Sequence, residues 1–160
     1  MVSFTSLLSL ALAAGGLAAA KPTSFNGTGQ IRTLWAYGDH SDLGCLTSAG
    51  LWTTDESLCG KFDAKRTNES PVMFTLASVE GPCQIYGKFS CAKGNEPYIF
   101  GLWPWGNSVP GVECLRWGQY GLMASSGPRN PPLPTDPPQE LHLTSASEEQ
   151  KYVWLTFGSV

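Results

Sequence analysis

The sequence is poor in the groups that most often carry chemistry or hold nucleic acid. Histidine occurs only twice in 160 residues, as His40 and His142. There is no Gly-x-Ser-x-Gly elbow, no phosphate-binding glycine loop and no His-Glu-x-x-His pair. The commonest hydrolase and nucleotide-binding chemistries therefore lack their residues. Basic residues are scarce as well: ten Lys and Arg stand against thirteen Asp and Glu, a formal charge of −3. Lys65-Arg66 is the only dibasic step, so a nucleic-acid backbone would meet a mildly acidic surface with no basic block. Helical periodicity is missing too. No apolar set recurs at i, i+3 and i+4 over a useful length, and Ser145–Gln150 has room for one helical turn at most. No internal repeat is present, and beyond residue 20 no apolar run is long enough to cross a bilayer.

Residues 1–20 differ in character from all that follows. They carry no charge, run apolar for about a dozen residues and end in Ala18-Ala19-Ala20, the form of a signal peptide with a small-residue cleavage site. The expected product is soluble and secreted, extracellular or in a vacuolar lumen, with a mature chain starting near Lys21. About 140 residues then remain, the size of one domain.

That remainder is patterned for strands. Ile31–Tyr37, Val72–Ser78, Gln84–Tyr86, Tyr98–Leu102, Val112–Trp117 and Tyr152–Phe157 are short, rich in β-branched and aromatic residues, and bounded by Gly, Pro, Asn or Asp. The pattern predicts an all-β domain over 31–160, a small disulfide-stapled β-barrel or β-sandwich of about eight to eleven strands. Residues 21–30 read as a short turn-rich lead-in. Ser125–Pro138 is too rich in proline for a central strand and is expected to form a long extended loop.

Five cysteines in a secreted chain imply two disulfides and one left over. About fifteen arrangements satisfy that count. Local pairing, Cys45 with Cys59 and Cys83 with Cys91, is the simplest of them. Gly87 lies between the second pair, well placed to turn a hairpin. Cys114 then stays a free thiol buried in a strand, with an intermolecular bridge as the alternative. Asn26-Gly-Thr28 and Asn68-Glu-Ser70 are N-glycosylation sequons, the second followed by Pro71, which should lower its occupancy.

Gly44-Cys45-Leu46-Thr-Ser-Ala-Gly-Leu-Trp52, then Cys59, Phe74-Thr-Leu-Ala-Ser78, Gly81-Pro-Cys83 and Gly87-Lys-Phe-Ser-Cys91 resemble the β-rich C-terminal domain of fungal ribonucleases of the T2 family. The likeness covers about Gly44–Cys91 and, more loosely, the final strand Tyr152–Phe157. It implies a fold and a secreted or vacuolar setting without a catalytic domain. Enzymes of that family cleave RNA with histidines in two segments, one of the form His-Gly-Leu-Trp-Pro. Here Phe100-Gly-Leu-Trp-Pro104 matches four of those five residues, but a phenyl ring can neither take nor give a proton. The second histidine segment is absent, so no catalytic residue is expected.

Other candidates are weaker. Asp39-His40-Ser41-Asp42 has the spacing of a metal corner but reads better as a solvated turn, so neither metal nor cofactor is expected. His142 alternates with Leu141 and Leu143 and should face away from them. Asp55-Glu56, Glu113 and Glu148-Glu149 could serve a glycosidase only if brought together across a cleft. Six tryptophans are more suggestive. Trp35, Trp52, Trp117 and Trp154 fit a core. Trp103-Pro104-Trp105 places two indoles around a residue that cannot join a ladder, as a possible-ligand platform for sugar rings or a protein partner. The expected function is non-catalytic binding of extracellular or cell-wall polysaccharide by a monomer. A secreted protein-interaction module, an inhibitor or effector using the Pro-rich loop, is the alternative. A cryptic hydrolase stands third.

Overall fold

Alternation of residue type becomes alternation of face. In Phe62-Asp-Ala-Lys-Arg66 the first and third residues are buried and the second and fourth exposed, and Met73–Ser78 likewise sends Phe74 and Leu76 inward. The computed structural model describes residues 22–23, 25–35, 41–103, 113–116, 122–124, 137–143 and 152–159. Thirteen strands form among them. The first six are β1 (Pro22–Thr23), β2 (Gly27–Trp35), β3 (Asp42–Leu46), β4 (Trp52–Thr53), β5 (Phe62–Arg66) and β6 (Met73–Ser78). Then come β7 (Gly81–Tyr86), β8 (Lys88–Cys91), β9 (Phe100–Trp103) and β10 (Cys114–Arg116). The last are β11 (Leu122–Ala124), β12 (Leu141–Leu143) and β13 (Tyr152–Ser159). One 3-10 turn, Glu56–Leu58, is capped by Asp55, whose carboxylate accepts from the Ser57 N–H at 2.9 Å.

All the ladders are antiparallel and belong to one sheet. β13 runs along one edge of β2 from Trp35 to Gly29, while the other edge of β2 is shared between β5 and β3. Following the ladders from β2 through β5, β6, β7, β8, β12 and β11 to β13 leads back to β2. The sheet closes on itself in the manner of a barrel, which removes most free edges. The edge of β4 is covered by an isolated bridge in which Trp52 and Gln139 exchange two backbone hydrogen bonds, at 2.7 and 2.9 Å.

The interior is aromatic. Phe74 stacks on Phe25 with centroids 4.5 Å apart, Phe25 meets Phe157 at 5.3 Å, and Phe100 lies 5.7 Å from Phe74 and 5.9 Å from Phe89. Ile31, Leu46, Leu76, Ile85, Leu141, Val153 and Leu155 fill the space around these rings. Each large side chain removed from water contributes about 2–3 kcal/mol of transfer free energy. Trp52 is fully buried and donates its indole N–H to the Leu43 carbonyl at 3.0 Å. Trp35 packs against the core but is only partly buried, Trp154 is half-buried, and Trp117 lies outside the described residues.

The reading of 21–30 as a lead-in needs correction. β1 pairs with β13, β2 begins at Gly27, and Phe25 between them is fully buried. One phenylalanine among Pro, Asn and Gly has no period to read, so its burial is a tertiary effect. The strand count also exceeds the expectation. β1 and β4 have two residues each, too few to carry an alternation.

Cys45 is bonded to Cys59 and Cys83 to Cys91. Cys83 and Cys91 are directly opposed on β7 and β8, with Cα atoms 4.0 Å apart, and the Cys91 N–H points away to the Ala49 carbonyl at 3.0 Å. That is the narrow, non-hydrogen-bonded kind of pair, which brings the two sulfurs within reach. Gly87 turns the hairpin at φ 73°, a conformation that side chains rarely adopt. Cys114 is free and buried, and burial pushes its thiol pKa up to about 12. It therefore stays a neutral thiol at any working pH.

Candidate functional site

Among the described residues, those singled out by motif do not assemble into a catalytic centre. Phe100, where the family's histidine would stand, is 1% exposed and packed among aromatic rings. Asp55 caps the 3-10 turn. Its neighbour Glu56 turns to Arg32, whose guanidinium takes Glu56 through two hydrogen bonds at 2.6 and 2.7 Å and Asp42 through two more at 3.0 Å. Glu113 is held by Arg66 at 2.9 Å. These carboxylates are committed to ion pairs or caps and are spread over different parts of the sheet. Among the described residues no group of three or more His, Cys, Asp or Glu could hold a metal ion. His40, Glu148 and Glu149 lie outside the described residues. So do Trp105 and the side chain of Trp103, whose backbone ends β9 opposite Cys114. Asn26 and Asn68 are both exposed, and the sequon hydroxyl of Thr28 donates to Asp63 at 2.5 Å.

A different constellation forms on the outer face of β7, β8 and β12. Ile85, Phe89 and Leu141 point into the barrel, so their neighbours Tyr86, Lys88 and His142 point out. Tyr86 stands opposite Lys88, and Lys88 opposite His142, which puts the three side chains in one row across three strands. Glu140, two residues before His142, lies on the same face and joins the other two. One carboxylate oxygen accepts from the Lys88 ammonium and the other lies 3.2 Å from Nε2 of His142. The hydrogen bond from Lys88 holds the Glu140 carboxyl below the usual carboxylate range, aided by the charge of Lys88 and by His142. It is an anion under all ordinary conditions.

Tyr86 is 68% exposed, high for a ring of that size. Its position is nevertheless fixed. Tyr98 meets it edge-on with centroids 5.6 Å apart and an interplanar angle of 86°, and Tyr98 in turn packs on Phe100 at 5.0 Å. Desolvation, with a smaller contribution from Tyr86, raises the Tyr98 phenol pKa, so the Tyr98 ring stays a neutral hydrogen-bonding group. The chain Phe100, Tyr98, Tyr86 thus anchors an open aromatic ring to the core beside an ammonium, a carboxylate and an imidazole. Sequence reasoning missed this face apart from His142, read there as structural. Lys88 and Glu140 are 52 residues apart, and only the β8–β12 ladder brings them together. The one local signal was an aromatic residue next to the hairpin glycine.

A second exposed apolar group surrounds the β6–β9 ladder. Val72, Met73 and Ile99 are all exposed, and Gly101, opposite Met73, has open space where a side chain would project.

No curated protein and no solved structure matches this chain. A family model does match, the RNase T2-like C-terminal domain, over residues 23–104, just over half of the chain. The matched span runs from Thr23 to just past the end of β9 and includes both disulfides, the core rings Phe25, Phe74, Phe89 and Phe100, and Tyr86, Lys88 and Tyr98. This chain belongs to the RNase T2-like C-terminal domain family.

Proposed function

We propose that the protein is a secreted, non-catalytic β-module that binds extracellular or cell-wall polysaccharide through the outer face of β7, β8 and β12. The observation that carries the reading is the exposed Tyr86 ring, pinned edge-on by Tyr98 and flanked by Lys88, Glu140 and His142. Sugar rings offer apolar C–H faces and a rim of hydroxyls. A fixed aromatic ring takes the first, and the charged groups beside it take the second. Two disulfides fit an oxidising compartment, and the apolar leader at residues 1–20 supplies the route there. The buried Phe100 and the absence of a second histidine segment from the sequence support a module without ribonuclease activity.

Tyr86→Ala should weaken retention on insoluble polysaccharide tenfold or more, about 1.4 kcal/mol, because stacking would desolvate an apolar area of that worth. Thermal stability should change little, since the ring is mostly in water already. Depletion assays on glucan, chitin, cellulose and mannan, with melting curves alongside, measure both. Unchanged retention would move the binding face elsewhere, with Trp103 and Trp105 next to be replaced. A second reading, a protein-binding module, is favoured by the exposed Val72, Met73 and Ile99. On that reading Met73→Lys with Ile99→Lys abolishes capture of a protein partner while polysaccharide retention is nil throughout.

A further inference from the structure

The same face carries chemistry that discriminates between classes of glycan. We infer, on the polysaccharide reading above, that its ligand is a neutral polymer of pyranose sugars, held at Glu140 through a pair of neighbouring hydroxyls rather than at Lys88 through an acidic group.

The argument rests on how the three polar groups are already spent. The charge of Lys88 is matched by Glu140. An incoming sugar carboxylate would have to share Lys88 with that anion. Two carboxylates around one ammonium repel each other at a few ångströms, and the chain as a whole carries −3. A neutral hydroxyl meets no such penalty. Each oxygen of Glu140 has one protein partner, Lys88 on one and His142 on the other. A carboxylate oxygen accepts more than one hydrogen bond, so both retain capacity toward solvent. Two adjacent acceptors on an exposed carboxylate match two adjacent hydroxyl donors, and hydrogen bonds to a charged acceptor are the stronger kind. Lys88 and His142 hold the carboxylate from two sides, so its plane is set before a ligand arrives. Tyr86 is opposite Lys88 on the neighbouring strand, close enough for its open face to lie under the same sugar ring.

The test compares neutral and acidic polymers on the purified full chain. Wild-type protein is expected to be retained by at least one neutral polymer whose units keep two adjacent free hydroxyls, among mannan, cellulose and 1,6-linked glucan, with weak dependence on ionic strength, and neither by chitin, which lacks such a pair, nor by polygalacturonate. Glu140→Gln should weaken that retention at least tenfold. Lys88→Met breaks the same ion pair but leaves the carboxylate, and should cost threefold or less. This second variant separates loss of the acceptor from loss of the pair, and melting curves confirm that both variants fold. Retention by polygalacturonate alone, abolished by Lys88→Met and by salt, overturns the inference and leaves polysaccharide binding intact. Retention by a neutral polymer that Tyr86→Ala abolishes and Glu140→Gln leaves unchanged does the same. Retention by no polymer overturns the polysaccharide reading itself.

Discussion

Replacing Phe100 with histidine completes the sequence His-Gly-Leu-Trp-Pro, and it is expected to destabilise the domain by about 3 kcal/mol without producing RNA cleavage. The ring it removes is 1% exposed and packs on Phe74, Phe89 and Tyr98 at centroid distances of 5.7, 5.9 and 5.0 Å. An imidazole is smaller, so aromatic contact is lost. It also brings ring nitrogens into a pocket lined by apolar side chains, and burying an unpaired polar group costs about 1–3 kcal/mol. The penalty should grow in acid. Burial depresses the folded-state pKa of a histidine, so below about pH 6.5 the unfolded chain binds a proton that the folded one refuses. Phe100→Leu, which keeps most of the volume and adds no polar atom, should cost roughly half as much or less. Melting curves at pH 7.5 and 5.5 decide the stability part, and a gel assay with RNA decides the other. A Phe100→His protein as stable as wild type, or one that cleaves RNA above an inactive control, would contradict the placement of this residue in the core.

Phe100 also shows what a sequence can and cannot disclose. A strand was legible here, although expected over Tyr98–Leu102 and formed over Phe100–Trp103, because β-branched and aromatic residues cluster between Pro97 and the Trp-Pro-Trp step. The motif likeness at the same place was misleading, because a four-residue match carries no information about which way position 100 points. Local spacing gave the two bridges because each joins residues on one hairpin or one excursion of chain. Phe25 was illegible: its neighbours are turn formers, and what buries it is Phe74 and Phe157, from strands β6 and β13. The outer face failed for the same reason. Tyr86 and Lys88 face each other across a local hairpin, but His142 and Glu140 join them only when β8 pairs with β12, and a register over that distance is set by the whole barrel rather than by any window of sequence. Indoles drew attention because tryptophan is rare and large, whereas the exposed ring that the described residues present is a tyrosine beside a hairpin glycine.

The segment from Asp42 to Cys59 is closed twice, and removing both closures should cost more than the two separate losses suggest. One closure is covalent. Cys45–Cys59 spans 14 residues, and replacing both cysteines with alanine should destabilise the fold by about 3 kcal/mol. The other is ionic. Arg32 on β2 grips Asp42 at the start of β3 and Glu56 in the 3-10 turn, bracketing almost the same stretch. Both carboxylates are well exposed, so solvent screens the pairs, and Arg32→Met alone should cost about 1–2 kcal/mol. With the bridge intact the turn is held close to Arg32, and the ionic closure is partly redundant. Without it, the Arg32–Glu56 pair is what keeps the turn on the barrel, so a double-mutant cycle should show a coupling of about 1 kcal/mol. The pH dependence has a definite sign. Hydrogen bonding to Arg32 lowers the Glu56 pKa in the folded state. Its contribution is therefore complete above the unfolded carboxylate value of 4.5 and is lost as pH falls through the lower folded value. The partner shift, an Arg32 pKa raised first by the hydrogen bond to Glu56, adds nothing to that window because a guanidinium stays charged throughout it. In the bridge-free variant, amide exchange over residues 47–61 should remain slow at pH 7, and its opening free energy should drop by about 1 kcal/mol once Glu56 is protonated. In wild-type protein the drop should be smaller, because the bridge holds the same segment. Equal opening free energies for the bridge-free variant on both sides of the Glu56 titration, or strict additivity in the cycle, would show that Arg32 decorates this segment without holding it.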